Sequence, residues 1–180
     1  MLYDILGKRR SIRKFTDQPL ERDKMDMLLK SALLSPSSRS IRPWEFLLTD
    51  EKDMLEKLSK CKPHGASFLK EAAAGIVVMA DTEKSDVWVE DAAIASVYLL
   101  LMAEELGLGA CWVQIRKRNN DGGQSAGEYI RKLLEIPGRY EIESVIAVGY
   151  PAENKAAYGD KELKYEKLHY LSFGKKYPIQ

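Results

Sequence analysis

Three arginines, a lysine and a serine fall within six positions in Arg9-Arg10-Ser11-Ile12-Arg13-Lys14, and no acidic residue lies between Lys8 and Thr16. A guanidinium is a planar fork of donors that matches phosphate oxygens, and serine adds a short hydroxyl donor. The segment asks for an anion. A second stretch, Ser35-Pro36-Ser37-Ser38-Arg39-Ser40-Ile41-Arg42-Pro43-Trp44, crowds hydroxyls and guanidinium groups directly before an aromatic run. Small hydroxyl residues let a flat ligand approach the backbone closely. Ser and Pro are also common in any helix-to-strand connection, so this loop gains weight only beside the first segment.

Other chemistry finds little support. Gly107-Leu-Gly109 leads into a strand and places Trp112 where a dinucleotide fingerprint needs its third glycine. Ser11-Ile-Arg-Lys14 matches the S-x-x-K of acyl-serine enzymes, but Ser67-Phe-Leu-Lys70 matches equally, and no Lys-Thr-Gly partner occurs. His64 and His169 have no neighbouring nucleophile with a supporting acid. Cys61 and Cys111 show no short Cys–Cys or Cys–His spacing, so no zinc site or disulfide framework is expected, and Cys111 reads as a small core residue. An anion grip without acid–base or nucleophilic machinery is the pattern of a protein whose bound organic cofactor carries the chemistry.

Composition agrees. With 28 basic against 27 acidic residues, net charge +1, the chain of 180 residues is no general polyanion binder, and nucleic acid is not an expected partner. The longest apolar run, Ala92–Ala103, lies between Glu90-Asp91 and Glu104-Glu105 and is too short to span a bilayer. No signal-peptide pattern opens the sequence, and a reducing cytoplasm is the expected compartment.

The elements that must position these residues follow from periodicity. A short helix over about 3–8 precedes the arginines. Pro19 is expected to open a second helix with Met25, Leu28, Leu29, Ala32 and Leu33 on one face. Trp44, Phe46 and Leu48 alternate as a strand, a polar helix covers about 51–59, and the β-branched run 75–80 reads as a buried strand. A helix over about 86–106, stopped by Gly107, is apolar on nearly every face and so should be surrounded by other elements. A strand over 110–115, a helix opened by the capping box Ser125–Glu128 and reaching about Glu135, and a strand over 142–148 complete the core. The polar stretch 152–180 holds Leu163, Tyr165, Leu168, Tyr170, Leu171 and Phe173 without core periodicity, which suits an arm lying on a second subunit. The order of elements indicates an α+β or three-layer α/β domain over 1–151, with 152–180 as its C-terminal arm.

Taken in order, Arg-Arg-Ser-Ile-Arg-Lys-Phe, Ser-Pro-Ser-Ser…Pro-Trp-Glu-Phe, Trp88-Val-Glu-Asp91-Ala-Ala-Ile-Ala95, Gly107-Leu-Gly109-Ala-Cys-Trp and Val148-Gly149-Tyr-Pro151 resemble the nitroreductase family of flavoproteins across about residues 1–151. The resemblance implies a three-layer α+β sandwich, dimeric, with a C-terminal arm extended over the partner subunit and FMN shared between the two chains. It implies that Arg9, Arg10 and Ser11 hold the phosphate and polar edge of FMN, and that Arg13 stabilises the reduced ring by a fixed positive charge. Pro36, Ser37, Ser38 and Ser40 would come from the other subunit. The backbone of Gln114 and Ile115 would approach the flavin N5. Ser40 and Arg42 stand where the family commonly has Asn and Gln, with Arg39 a substitute donor; Lys164, Lys167, Arg116 and Arg118 are candidates to complete the phosphate site. The implied activity is an NAD(P)H-dependent reduction of nitroaromatics, quinones or similar flat electrophiles by ping-pong hydride transfer, with no catalytic side chain and no metal. The alternatives are another flavin chemistry (fragmentation of the flavin or reductive dehalogenation) or a non-catalytic flavin-binding module.

Overall fold

Two runs of apolar and β-branched residues, β2 (Ala74–Asp81) and β4 (Tyr140–Gly149), pair antiparallel at the centre of a four-stranded sheet. β1 (Trp44–Thr49) flanks β2 and β3 (Gly109–Gln114) flanks β4, giving the order β1-β2-β4-β3 with every pairing antiparallel. The computed structural model describes residues 1–179; Gln180, the last residue of the expected arm, lies outside them.

Strand alternation sends side chains to two separate cores. Val77, Met79, Cys111, Val113, Ile142, Val145 and Ala147 face one layer, which contains α3 (Lys52–Ser59), the short turn Ser67–Glu71 and α5 (Ala126–Leu133). Ile76, Val78, Ala110, Ile146 and Val148 face the other, formed by α2 (Arg22–Leu33) and α4 (Trp88–Glu105). The sheet is therefore covered on both sides, the three-layer α+β arrangement expected. α1 (Leu2–Lys8) lies at the edge against α4.

Several boundaries differ from expectation for local reasons. α2 begins at Arg22, because Glu21 is an extended N-cap and the chain from Pro19 through buried Leu20 stays non-helical. Ser125 Oγ accepts from Glu128 N–H as a cap, but α5 ends at Leu133, since Glu135 takes a left-handed φ of 56°. Gly107 ends α4 with φ +70°, as a C-terminal glycine should.

The larger correction concerns α4. It packs on the sheet and on α2, yet Ile94, Val97 and Tyr98 remain 38%, 45% and 38% exposed. Spaced i, i+3 and i+4, they form one continuous face that the described residues leave uncovered. The stretch 152–179 contributes nothing to either core, and Phe173 near its end is 93% exposed. No helix among the described residues is long and apolar enough to cross a membrane.

Candidate functional site

After α1 the chain runs along the outer edge of β3. Ser11 bridges Ala110 in parallel, and Ile12 N–H donates to Ala110 O at 3.0 Å. Four residues later the chain pairs with the segment after β4: Thr16 N–H donates to Tyr150 O at 2.9 Å and Ala152 N–H to Lys14 O at 2.8 Å. Glu153 fixes the stretch between, accepting from Arg13 N–H at 2.6 Å and Lys14 N–H at 3.3 Å, and these backbone donors hold its carboxyl below the usual range.

This leaves a cluster of cationic donors. Arg9 and Arg13 have no acidic partner for their guanidinium groups among the described residues; Arg13 lies 5.8 Å from the Phe68 ring. Arg10 donates to Ala156 O and stacks 4.3 Å over the Tyr158 ring, so it also fastens the start of the stretch 152–179. Lys155 Nζ lies 2.5 Å from Ser11 O and 3.2 Å from Glu153 Oε1. Burial pushes the Cys111 thiol up, opposed by Arg13, the Ser11 hydroxyl, Lys155 and Lys62, all close enough to pull it down. Cys111 is thus buried beneath the cluster, the core role expected of it.

Gln114 marks the far end of the same edge. In an antiparallel strand the backbone groups of successive residues point alternately to opposite sides. Ala110 C=O faces outward to Ile12, while Ile115 N–H donates inward to Glu143 O at 3.1 Å. Alternation therefore places the Gln114 N–H on the open edge and removes that of Ile115, whose side chain is also fully buried. Of the two expected backbone positions, Gln114 offers a donor and Ile115 does not. From Ala110 to Gln114 is about 14 Å along the strand, with donor-rich side chains at one end and, at the other, an N–H that has no partner among the described residues.

The serine loop lies elsewhere. Ser38 N–H donates at 2.8 Å to Asp91 Oδ1, a buried carboxylate in the first turn of α4 that also accepts from Ser85 Oγ at 3.3 Å. Ser37 Oγ accepts from Arg42 N–H at 2.8 Å. Arg39 pairs with Asp86 at 2.6 Å, so it is engaged at the loop's root. Arg39, Ser40 and Arg42 hold left-handed φ values of 52°, 54° and 53°, an unusual density of strain in non-glycine residues. Arg10 sits beside Glu104 and Gly107 at the opposite end of α4. The helix has 18 residues, so about 27 Å of its length separates the loop from the arginines. Within one chain, Pro36, Ser37, Ser38 and Ser40 do not join Arg9, Arg10, Ser11 and Arg13.

Among the basic candidates for completing the cluster, Arg116 lies 5.8 Å over Trp88, Arg118 donates to Lys117 O, and Lys164 and Lys167 are exposed on the tail. The residue brought to the cluster is Lys155. Its sequence signal was slight: a lysine four residues after Gly149-Tyr-Pro151, where the tail first pairs with the arginine segment.

The family model for the nitroreductase family matches residues 6–64 and 49–150, and the chain belongs to that family. An FMN-dependent nitroreductase from Clostridium difficile R20291 superposes with a TM-score of 0.92 at 49% identity, covering 94% of this chain and 98% of that one. A Methanothermobacter thermautotrophicus protein, provisionally named NADH dehydrogenase/NAD(P)H nitroreductase, is 39% identical over 154 residues, which is 84% of this chain and 78% of its own. A Desulfovibrio desulfuricans nitroreductase-like structure in complex with FMN is 25% identical with a TM-score of 0.72, covering 88% of this chain and 90% of that one.

Proposed function

We propose that this protein is an FMN-dependent NAD(P)H oxidoreductase that works as a homodimer and reduces nitroaromatics, quinones or similar flat electrophiles. The observation that carries the reading is the single edge of β3. Beside Ser11 it presents Arg9 and Arg13, whose guanidinium groups have no acidic partner among the described residues, and at Gln114 a backbone N–H on the open edge. An anionic tail fits the first and a flat ring with an acceptor atom fits the second. The names of the C. difficile and M. thermautotrophicus relatives support the cofactor and the reductant.

When bound, FMN supplies the two-electron carrier between nicotinamide and acceptor, each occupying the same slot in turn. The chain does the rest by holding and by charge. Arg9, Arg10, Ser11 and Lys155 grip the phosphate. Arg13 supplies a fixed positive charge toward the ring, in place before reaction and so at no reorganisation cost during it. Gln114 N–H is the donor to the reactive edge.

The serine loop enters by assembly. The uncovered α4 face of Ile94, Val97 and Tyr98 supports a two-fold contact through α4. Pairing α4 with an antiparallel copy sets the first turn of one helix beside the last turn of the other, and so brings Pro36, Ser37, Ser38 and Ser40 of a second protomer to the arginines. The arm, with Leu163, Leu168 and Phe173 exposed, would then lie on that protomer.

The test is direct. The purified protein is expected to carry a yellow chromophore or take up added FMN, and to be bleached by NAD(P)H and restored by a quinone or nitroaromatic. A colourless protein that ignores FMN removes the reading. Binding without NAD(P)H oxidation leaves a flavin-binding module. Flavin fragments under oxygen, or released halide from a haloaromatic, point to the other flavin chemistries.

A further inference from the structure

Glu143 stands at an irregularity in the central sheet. Val78 faces Ser144 and Met79 faces Ile142, so Glu143 is the extra residue of a bulge on β4. It is only 5% exposed, and its Oε2 has no hydrogen-bond partner among the described residues. Oε1 lies 3.4 Å from Gln114 Nε2, which also donates to Arg116 O at 3.2 Å. Gln114 Oε1 in turn accepts from Trp112 Nε1 at 2.9 Å, which fixes the orientation of the amide. The Gln114 side chain is therefore turned inward onto Glu143 while its backbone N–H faces the open edge.

The charged groups that face Glu143 are Arg116, from the turn after β3, and Glu90, from the first turn of α4. Burial raises its carboxyl above the ordinary value; Gln114 and Arg116 oppose this, and Glu90 reinforces it. A buried carboxyl with one oxygen unpartnered is costly as an anion and tolerable as a neutral acid.

The geometry points to Glu143 as a positioning residue that holds a proton behind Gln114, keeping the reactive edge of the cofactor free of negative charge. The inference rests on the FMN reading above. A hydride leaving nicotinamide C4 brings its electron pair to the ring and leaves oxidised nicotinamide; no proton leaves Glu143. A carboxylate at this place would repel the incoming charge through one residue. A neutral acid does not, and it keeps the Gln114 amide as an inward partner.

Glu143→Gln keeps the shape and cannot ionise. In wild type, the midpoint potential of bound FMN, measured by spectroelectrochemistry from about pH 5 to 9, is expected to fall more steeply with pH than in E143Q. The two curves should converge at low pH and separate at high pH, where E143Q binds reduced relative to oxidised FMN about tenfold more tightly than wild type. The protein without cofactor gives a second readout. Because its carboxyl is raised in the folded state, the native chain binds that proton more tightly than the unfolded chain. Stability is therefore lost as pH climbs from the unfolded value of about 4.5 through the folded one. E143Q lacks this loss, so it should melt higher than wild type at about pH 8 and show a shrinking advantage toward pH 4.5. Parallel potential curves, or a melting difference that does not vary with pH, overturn the assignment. Failure of wild type to bind FMN overturns the functional reading and this inference with it, whereas binding with parallel curves overturns this inference alone.

Discussion

Gly109 on β3 and Gly149 on β4 stand opposite each other in the sheet, and each leaves space that a side chain of the arginine segment fills. A Cβ at Gly109 would lie 2.7 Å from Ile12 Cγ2 and 2.8 Å from Ile12 Cβ. A Cβ at Gly149 would lie 2.9 Å from Phe15 Cδ1 and 3.1 Å from the Ala73 backbone nitrogen. The paired glycines let the segment lie flat on the sheet, with Ile12 and Phe15 buried and Arg13 and Lys14 between them.

Gly149→Ala meets both a ring and fixed backbone, and should lower stability by about 1–3 kcal/mol in denaturant unfolding. Gly109→Ala meets only the Ile12 side chain, and displacing it shifts the arginine segment rather than the sheet. It should cost less stability and more FMN affinity, read by titrating the unfolding curve and the flavin separately. Equal losses from both would argue against the glycine pair as the seat of the segment.

Lys155→Ala should weaken FMN and leave riboflavin unaffected, since only FMN carries the phosphate this ammonium would meet. Removing a charged hydrogen-bond partner corresponds to about tenfold or more in affinity. Isothermal titration with the two flavins makes the comparison.

Arg13→Ala should lower FMN affinity by a similar factor and slow reduction by NAD(P)H in stopped-flow absorbance. Ser67→Ala, at the exposed start of the turn that carries Phe68, should change neither. Equal effects of the two substitutions would count against the assignment of Arg13.

Val97→Asp places a charge in the uncovered face of α4. Wild type is expected to sediment as a dimer and the variant as a folded monomer with FMN affinity reduced tenfold or more, because the serine loop of a second protomer is lost. A monomeric wild type that binds FMN fully would refute the shared site.

Burial pushes the Cys61 thiol up to about 11 and raises that of Cys111 as well. Both should therefore stay protonated and resist iodoacetamide in the native protein at about pH 8, reacting only on unfolding. Mass spectrometry of the alkylated protein reports this directly.

The arginine segment, the Ser125 cap and the Gly107 stop were legible because each is a local pattern with a local physical cause. Lys155 was not, since its place depends on Ala152 meeting Lys14, a pairing between residues at opposite ends of the chain. Glu143 was passed over because strand alternation around it looks ordinary, and only the bulge turns it inward. The apolar girth of α4 was legible, but periodicity cannot distinguish cover by the same chain from cover by another. The separation of the serine loop from the arginines, by the length of that helix, likewise follows only from the fold.

The way Ile12 takes the carbonyl of Ala110 has a consequence for solubility. β3 is an outer strand, and bare outer strands invite other chains to add on and aggregate. The arginine segment blocks that at one end, while the outward backbone groups of Trp112 and Gln114 at the other end have no backbone partner among the described residues. Protein stripped of its flavin should therefore clump sooner than the loaded form, so that the ligand doubles as a guard against misassembly.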